Sequence, residues 1–321
     1  MLAFHYKKRQ LAPSLSNRNA LSTTTIEANV LEEQVPWKAW LVLGILSLVW
    51  GSSFILIKRG LMTFPPEQVG AMRLAISAIA FFPFLISRLQ RIDWKRLKYL
   101  LIVGVTGSGL PAFMFALAQT EISSSLAGIL NSLTPLFTLM IGVAAFGSKF
   151  SWAKLVGIIL GLLGASALIL LGSKSGVEGN MWYGLLVVIA TISYATSGNV
   201  VGKYLRDMNS LLIGAASFGI VGIPLLIYLL TGTSFLHIMQ TDPDAWEALG
   251  YIAILALLGT FAASVIFFKL IQWTSPVFGS TVAYLIPIVA LGWGVADGET
   301  VGFFHLIGMA MILSGVYLSK R

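Results

Sequence analysis

The sequence predicts an all-α polytopic membrane protein with ten transmembrane helices in two inverted five-helix repeats and both termini in the cytoplasm. Of the 321 residues, 57% are hydrophobic and only 11% are charged, which is too little charge to cover the surface of a soluble domain. Long charge-free stretches recur along the chain, and a proline-marked stretch recurs in each half. Lysine and arginine collect in alternate connections between these stretches, which predicts their orientation.

The residue inventory excludes several kinds of chemistry. The chain has no cysteine, so disulfides, thiolate nucleophiles and thiolate metal ligands are ruled out. The three histidines are scattered without a metal-binding spacing, and no GxxxxGKS/T nucleotide loop is present. We therefore expect no metal and no cofactor. The net charge of +8 is explained by its distribution across a membrane, so we expect no nucleic-acid partner.

The chain divides into a tail and two halves. Residues 1–36 are polar and predict a disordered cytoplasmic tail. Ten apolar windows, each suited to a hydrocarbon core of ~30 Å, follow in two sets of five and define repeats over 37–173 and 180–320. The predicted spans are Ala39–Ile57, Val69–Ser87, Leu97–Ala118, Ser123–Phe146, Lys154–Gly172, Met181–Gly202, Ser210–Thr231, Ala248–Phe268, Pro276–Ala296 and Val301–Ser319.

The distribution of positive charge predicts the orientation of these spans. With the amino terminus inside, all 21 lysines and arginines fall in cytoplasmic segments except Lys58, Arg59, Arg73 and Lys174. Cytoplasmic connections carry such an excess of positive charge. Because each half has five spans, the second half is inverted relative to the first, and the carboxyl terminus is also cytoplasmic.

The fourth predicted span carries a polar stripe. Asn131, Thr134, Pro135 and Thr138 are spaced i, i+3, i+4 and i+7 and therefore share one helical face. Such a stripe is costly against lipid, so we expect it to face protein or water. The alternative is that its hydroxyls only bond across helices or to carbonyls that the proline frees.

The ninth predicted span repeats this pattern. Pro135 and Pro287 are 152 positions apart (287 − 135), and Ser123 and Ser275 show the same separation (275 − 123). Interrupted spans at corresponding positions of two halves are the best sequence pointer to a transporter's binding site. The predicted substrate-binding residues from these two spans are Asn131, Thr134, Pro135, Tyr284 and Pro287.

Aromatic and hydroxyl residues on other spans extend the predicted site. Trp50 and Tyr194 occupy comparable places in the first spans of the two halves, and Ser53 and Ser197 each follow by three residues. Ser264 lies on a similar mixed face of the eighth span. An aromatic wall with a few directed polar groups suits a small-molecule ligand, although ordinary aromatic packing would produce the same pattern.

Two charged residues are candidates for a structural or coupling role. Arg73 lies within the second span, where a central charge costs ~2.5–3.5 kcal/mol on insertion scales. Snorkelling, or pairing with Glu67 or Glu121, would relieve this cost, so we favour a structural clamp over substrate contact. Glu121, at a span end, is the candidate for coupling to protons.

Glycines on the fifth span form a small-residue seam. Gly157, Gly161 and Gly164 are spaced i, i+4 and i+7, and such seams let helix backbones approach closely in membranes. We expect close packing within the chain, with a homodimer contact as the alternative.

Several segments resemble the drug/metabolite transporter superfamily, specifically its EamA-type branch of ten-span carriers. The matching segments are WGSSFILIK (Trp50 to Lys58), MRLAISAIAFFP (Met72 to Pro83), the LTPLF and LIPIV stretches around the two prolines, and the GET at Gly298 to Thr300. In order and spacing they cover nearly everything after the tail. One departure is that Gly147-Ser148-Lys149 stands where such repeats usually show Gly-Glu, so a role of Glu299 would not be repeated in the first half.

The resemblance implies a multi-pass carrier of the bacterial inner membrane that moves small metabolites, often amino acids, commonly outward. The residues add that no carboxylate falls within a span, which favours neutral or zwitterionic solutes and a facilitator, or coupling through Glu121, over a deep carboxylate relay. We therefore expect a secondary transporter, not an enzyme, that works by alternating access on a small-molecule solute in a lipid bilayer.

Three alternatives remain open from the sequence. A nucleotide-sugar, sugar-phosphate or drug carrier is the alternative within transport, but phosphate carriers should present inward pairs of Lys or Arg, and this chain offers only Arg73. An intramembrane lipid-modifying enzyme would need converging catalytic groups at membrane depth. A non-transporting membrane scaffold would leave the duplicated polar stripes unexplained.

Overall fold

The structure is a computed structural model that describes residues 36–147, 152–171 and 180–319. Within these ranges the secondary structure is helical, without strands. The predicted cytoplasmic tail lies outside the described residues except for residue 36. The described residues from Lys38 onward form one compact unit.

Ten long helical segments follow one another along the described chain. We label them α1 to α10 in chain order, and one short helix, Phe235–Thr241, lies between α7 and α8. Their bounds are α1 Trp37–Leu61, α2 Pro66–Arg91, α3 Trp94–Ala118, α4 Ser124–Phe146, α5 Trp152–Leu171, α6 Gly184–Tyr204, α7 Ser210–Thr231, α8 Ala245–Trp273, α9 Pro276–Ala296 and α10 Phe303–Ser319.

Eight of these helices are long and apolar enough to cross a membrane. The other two, α5 and α10, carry shorter apolar stretches at Leu155–Gly164 and Phe303–Gly315. The chain is therefore a multi-pass membrane protein, and the predicted fifth and tenth spans correspond to the two shorter apolar helices.

Side-chain caps explain where α4 and α9 begin. The Ser123 hydroxyl accepts a hydrogen bond from the backbone N–H of Leu126 at 3.2 Å, and the Ser275 hydroxyl accepts one from Phe278 at 3.1 Å. A serine cap satisfies one of the N–H groups that lack a partner within the helix. The two caps are the serines whose 152-residue separation indicated a repeat.

Both capped helices are interrupted about halfway. α4 consists of Ser124–Asn131 and Thr134–Phe146, while α9 consists of Pro276–Ser280, a 3₁₀ segment and Ile286–Ala296. Pro135 and Pro287 each lie in the first turn of the second piece. Proline is tolerated there because a first-turn N–H would have no helical acceptor.

The third helix of each half contains a π-helical segment, Val105–Gly109 in α3 and Leu255–Ala262 in α8. A π-helical turn shifts the hydrogen-bond register, and such turns often mark functional sites. Gly107 and Gly259 occupy these two segments and are also 152 positions apart (259 − 107). The local irregularities of the first half thus recur in the second.

Helices of the two halves pack against each other in pairs. α2 packs on α7, where Phe81 stacks on Phe218 with ring centroids 5.1 Å apart. α5 packs on α10, and a Cβ added to Gly164 would come within 2.8 Å of the Met311 Cβ. The glycine seam on α5 therefore lets α5 pack closely on α10 of the same chain, as expected. The alternative homodimer contact stays a prediction.

Candidate functional site

A cavity of about 100 Å³ lies between the helices of the two halves. Its walls come from α1, α2, α3 and α4 of the first half and from α6, α8 and α9 of the second. One water molecule needs at least ~10–15 Å³ of such space. The cavity is therefore large enough for several waters or for a solute of about the size of an amino acid.

Seven of the ten predicted substrate-binding residues line this cavity. They come from four helices and from both halves of the chain, and their role in binding stays a prediction. They are Trp50, Ser53, Asn131, Thr134, Tyr194, Ser197 and Ser264.

The other predicted residues lie elsewhere. Pro135 and Pro287 are buried at the helix interruptions, and Tyr284 is half-buried on the 3₁₀ segment of α9. None of the three is part of the cavity wall. Glu121 is not part of the wall either and accepts a hydrogen bond from the backbone N–H of Asn180 at 3.1 Å.

The walls are mainly aromatic and apolar. Trp50 and Phe267 meet edge to face with ring centroids 5.0 Å apart, and Phe115 stacks on Tyr194 at 6.1 Å. Phe54 completes this wall through an edge contact with Phe115. Phe54 and Phe115 were not among the predicted residues because an apolar side chain facing a cavity has the same pattern in sequence as one facing lipid.

The interruption of α4 supplies polar groups to the cavity. The hydroxyls of Thr134 and Thr138 donate to the backbone carbonyls of Asn131 and Thr134, at 2.7 and 2.8 Å. The Thr134 hydroxyl satisfies the Asn131 carbonyl, which Pro135 leaves without a backbone N–H donor, and both threonines also line the cavity. The side chain of Asn131 is bonded by no residue in the described ranges and also borders the cavity.

Two glycines allow serine side chains to approach the π-helical segments. A Cβ on Gly107 of α3 would overlap the hydroxyl of Ser197 on α6, and a Cβ on Gly259 of α8 would lie 2.9 Å from the hydroxyl of Ser53 on α1. The indole N–H of Trp50 also donates to the Gly259 carbonyl at 2.8 Å. The Gly107–Ser197 contact joins α3 of the first half to α6 of the second, and the Gly259–Ser53 contact joins α8 of the second half to α1 of the first. These are the third and first helices of opposite halves in both cases.

Arg73 is the charged residue in the cavity wall. Its side chain is buried, at 8% exposed for the whole residue, and its Nε donates to the Thr260 hydroxyl of α8 at 2.7 Å. The hydroxyl of Tyr194 lies close to the same guanidinium. Among the residues that the structure describes, no carboxylate forms an ion pair with Arg73, so neither Glu67 nor Glu121 neutralises it.

An ion cluster joins α1 and α4 to the connection between α9 and α10. Lys58 contacts Asp297 at 2.6 Å and Glu299 at 3.0 Å, and Arg59 also pairs with Asp297. Gly298 has a positive φ of 82°, a backbone conformation that favours glycine. This turn lets the acidic residues on either side of it face the same cluster.

Glu299 caps α4 from another part of the chain. Its two carboxylate oxygens accept hydrogen bonds from the backbone N–H groups of Ser124 and Ser125, both at 3.0 Å, and from the Ser125 hydroxyl at 2.7 Å. Burial alone would raise the pKa of Glu299, but the bonds from Ser125, Lys58 and Ser124 hold the pKa below its ordinary value of 4.5. The carboxylate is therefore ionised at neutral pH.

This arrangement suits recognition of a small solute. Ligand sites combine apolar and aromatic walls with a few directed polar groups, as this cavity does. In the described parts of the chain no cluster of His, Asp or Glu could hold a metal ion. A cavity between two halves, with interrupted helices in corresponding places of both, is typical of membrane transporters.

Comparison with known proteins assigns the family. The EamA-like transporter family matches residues 36–170 and again residues 181–321. The chain belongs to this family, and the resemblance inferred from its motifs is confirmed.

Curated relatives and a solved structure cover most of the chain. It is 29% identical over 277 residues to the "Uncharacterized inner membrane transporter YedA" of Escherichia coli (strain K12), covering 85% of this chain and 87% of the relative. It is 28% identical to the "Probable amino-acid metabolite efflux pump" of Salmonella typhimurium, covering 85% and 91%. A crystal structure 17% identical to this chain covers 89% of it and 97% of its own chain with a TM-score of 0.61, which shows a shared fold.

Proposed function

We propose that the protein is a secondary transporter of the bacterial inner membrane that exports or equilibrates small neutral or zwitterionic metabolites such as amino acids. The observation that carries the proposal is the cavity, which is built by corresponding, irregular segments of the two halves. Its size suits a single amino acid. The names of the relatives, an inner membrane transporter and an amino-acid metabolite efflux pump, support the same substrate class and membrane.

The topology we propose is ten spans in two inverted repeats, over 37–173 and 180–320, with both termini cytoplasmic. The paired serine caps, the paired helix interruptions and the paired π-helical segments support a duplication. Two successive matches to one family agree with it. An odd number of spans per repeat, together with the distribution of lysine and arginine, favours opposite orientations of the two halves.

Alternating access follows from how the halves meet. In the proposed orientation, the ion cluster of Lys58, Asp297 and Glu299 lies at the outer ends of α1 and α9 and holds the outer side closed. The cavity wall extends to Pro276, the first residue of α9, which lies at the cytoplasmic end. Rocking of one half against the other about the interrupted helices would break the cluster and expose the cavity to the outside.

The cavity favours amino acids over phosphate-bearing solutes. Arg73 is the one lysine or arginine in its wall, whereas a sugar phosphate with a doubly charged group would call for a pair of cations. Among the described residues no carboxylate belongs to the wall either, which favours facilitated movement down the solute gradient or coupling through Glu121 from outside the cavity.

Solute counterflow in proteoliposomes tests the proposal. Purified protein is reconstituted with a panel of unlabelled neutral L-amino acids inside, and uptake of the matching labelled amino acid is measured. We expect counterflow for at least one of them, reduced in Asn131→Ala and retained in Gly292→Ala, whose added Cβ meets nothing within 4 Å. Absence of counterflow for every amino acid would overturn the proposed function. Equal counterflow in Asn131→Ala and Gly292→Ala would overturn the proposed site.

A further inference from the structure

We propose that Arg73 binds the carboxylate of the transported solute, so that the substrates are small zwitterionic amino acids or other monocarboxylates rather than uncharged solutes. This inference rests on the proposed transport function and narrows its substrate class. The sequence favoured a structural clamp for Arg73. The surroundings of the side chain in the structure point instead to a ligand.

The charge of Arg73 is buried without a counter-ion. A guanidinium does not lose its proton in proteins, so the residue cannot avoid the cost of burial by becoming neutral. Buried charges are normally paired or coordinated because an isolated one is strongly unfavourable. The described residues provide no carboxylate partner, so an anion from solution is the group that would complete the site.

The guanidinium of Arg73 has N–H groups that can bind the carboxylate of a solute. Thr260 accepts from Nε and fixes the plane of the guanidinium from one side. The Tyr194 hydroxyl also lies close to the guanidinium, but among the described residues no carboxylate pairs with it, and the side chain borders the cavity. Two parallel N–H groups match the two oxygens of a carboxylate, which is the reason that arginine recognises this group so often.

The position of Arg73 places that carboxylate well inside the membrane. The residue is the eighth of α2, and at 1.5 Å per residue it lies about 10 Å along the helix from its start. The amide of Asn131, which also has no partner among the described residues, lies on another wall of the same cavity. An amide can accept a hydrogen bond from an ammonium group, so the two walls complement the two ends of a zwitterion.

The charge is also unmatched in the second half. The helix that corresponds to α2 is α7, and Ser210–Thr231 contains no charged residue. The glycines and serines of the cavity do have counterparts in the other half, so the framework of the cavity is repeated and its charge is not. An asymmetric charge in a symmetric cavity is what a substrate with one anionic end requires.

The test compares acids with their amides. Thermal stabilisation of the purified protein is measured with L-alanine, L-threonine, L-leucine and L-phenylalanine and with the carboxamide of each, which retains the amine and loses the negative charge. We expect at least one acid, and not its amide, to stabilise the protein by binding the folded state. Arg73→Gln should weaken binding of that acid about 10- to 100-fold, as expected for a lost charge-assisted hydrogen bond, and should abolish the preference over the amide.

Two further variants separate charge from geometry. Arg73→Lys retains the charge but not the two-pronged donor, so we expect intermediate binding. Lys269→Gln removes one positive charge from α8 outside the cavity wall, and binding should stay at the wild-type value. If Arg73→Gln fails to fold, the acid-to-amide comparison on the wild type and on Arg73→Lys decides the question.

The outcomes distinguish this inference from the transport function. Equal binding of acid and amide, or no binding of any of the four acids, would overturn the carboxylate site. Counterflow of solutes without acid preference would overturn it while leaving the transporter intact. Acid binding that depends on Arg73, without counterflow of any solute, would retain the site and overturn the transport function.

Discussion

The ion cluster at the end of α1 offers a quantitative test of how the two halves are held together. Glu299→Gln changes a carboxylate that is 6% exposed and accepts four hydrogen bonds. The amide keeps one oxygen, but its NH₂ group must face donors that the second carboxylate oxygen had satisfied. Two bonds to a charged group are lost, each contributing ~1.5–3 kcal/mol.

The expected loss of stability is about 3–5 kcal/mol, in line with the effect of breaking a buried ion pair. The share of Lys58 in this figure is small because its side chain is 37% exposed and exposed pairs contribute little. Most of the effect comes from Ser124 and Ser125 at the amino terminus of α4, where a negative charge is additionally favoured by the helix dipole.

Thermal unfolding in detergent measures the effect. At ~2–4 °C per kcal/mol for chains of 150–250 residues, and somewhat less for a longer chain, the midpoint of Glu299→Gln should fall by about 5–10 °C at pH 7. The control is Glu67→Gln, which removes an exposed carboxylate from the first turn of α2 and should cost less than about 1 kcal/mol.

The pH dependence gives a second measurement on the same variants. The pKa of Glu299 is lowered in the folded protein, so its contribution to stability is fully present above the unfolded value of about 4.5 and is lost as the pH falls through the folded pKa. The difference in midpoint between wild type and Glu299→Gln should therefore shrink as the pH is lowered below 4.5. Equal midpoints at pH 7, or a difference that does not change with acid, would refute the assignment.

Three further predictions follow from the site and the proposed topology. Gly107→Ala should abolish most counterflow because the new methyl group overlaps the Ser197 hydroxyl, and the double variant with Ser197→Gly should recover part of it. Because the chain has no cysteine, single substitutions report topology directly: a membrane-impermeant maleimide should label Asp244→Cys in intact cells and Asp207→Cys only after permeabilisation. Uptake without a pH gradient should persist in wild type and in Glu121→Gln, and dependence on the gradient that disappears in Glu121→Gln would establish proton coupling through that residue.

Local patterns in the sequence predicted the parts of the fold that local chemistry decides. The separation of Ser123 from Ser275 indicated a repeat, and in the structure both serines cap helices by accepting from an N–H group of the first turn. Pro135 and Pro287 marked the interruptions of α4 and α9, since proline cannot bond to the preceding turn.

Features that depend on tertiary packing were not predictable in the same way. Arg73 bonds to Thr260, which is 187 positions away. The sequence suggested Glu67 and Glu121 as partners instead, because it shows which residues are near along the chain and not which helices pack together. The burial of Glu299 against α4 depends on the turn at Gly298 and on contacts with residues about 175 positions away. The π-helical segments carry no periodicity of their own. The sequence marks them in one way: Gly107 and Gly259 are 152 positions apart, the same separation as between the paired serines and the paired prolines.

The cavity combines a repeated framework with a single charge, and the two have different consequences for transport. The contacts of Gly107 with Ser197 and of Gly259 with Ser53 correspond between the halves, so the two halves meet through similar packing in two places around the cavity. The two access states can then be close in energy, as a carrier requires. Under the role proposed for Arg73, which has no counterpart in α7, a bound carboxylate would stay on α2 while the walls around it change. The guanidinium and the carboxylate would then neutralise each other in both access states, so the solute would cross the membrane without leaving either of these charges unpaired.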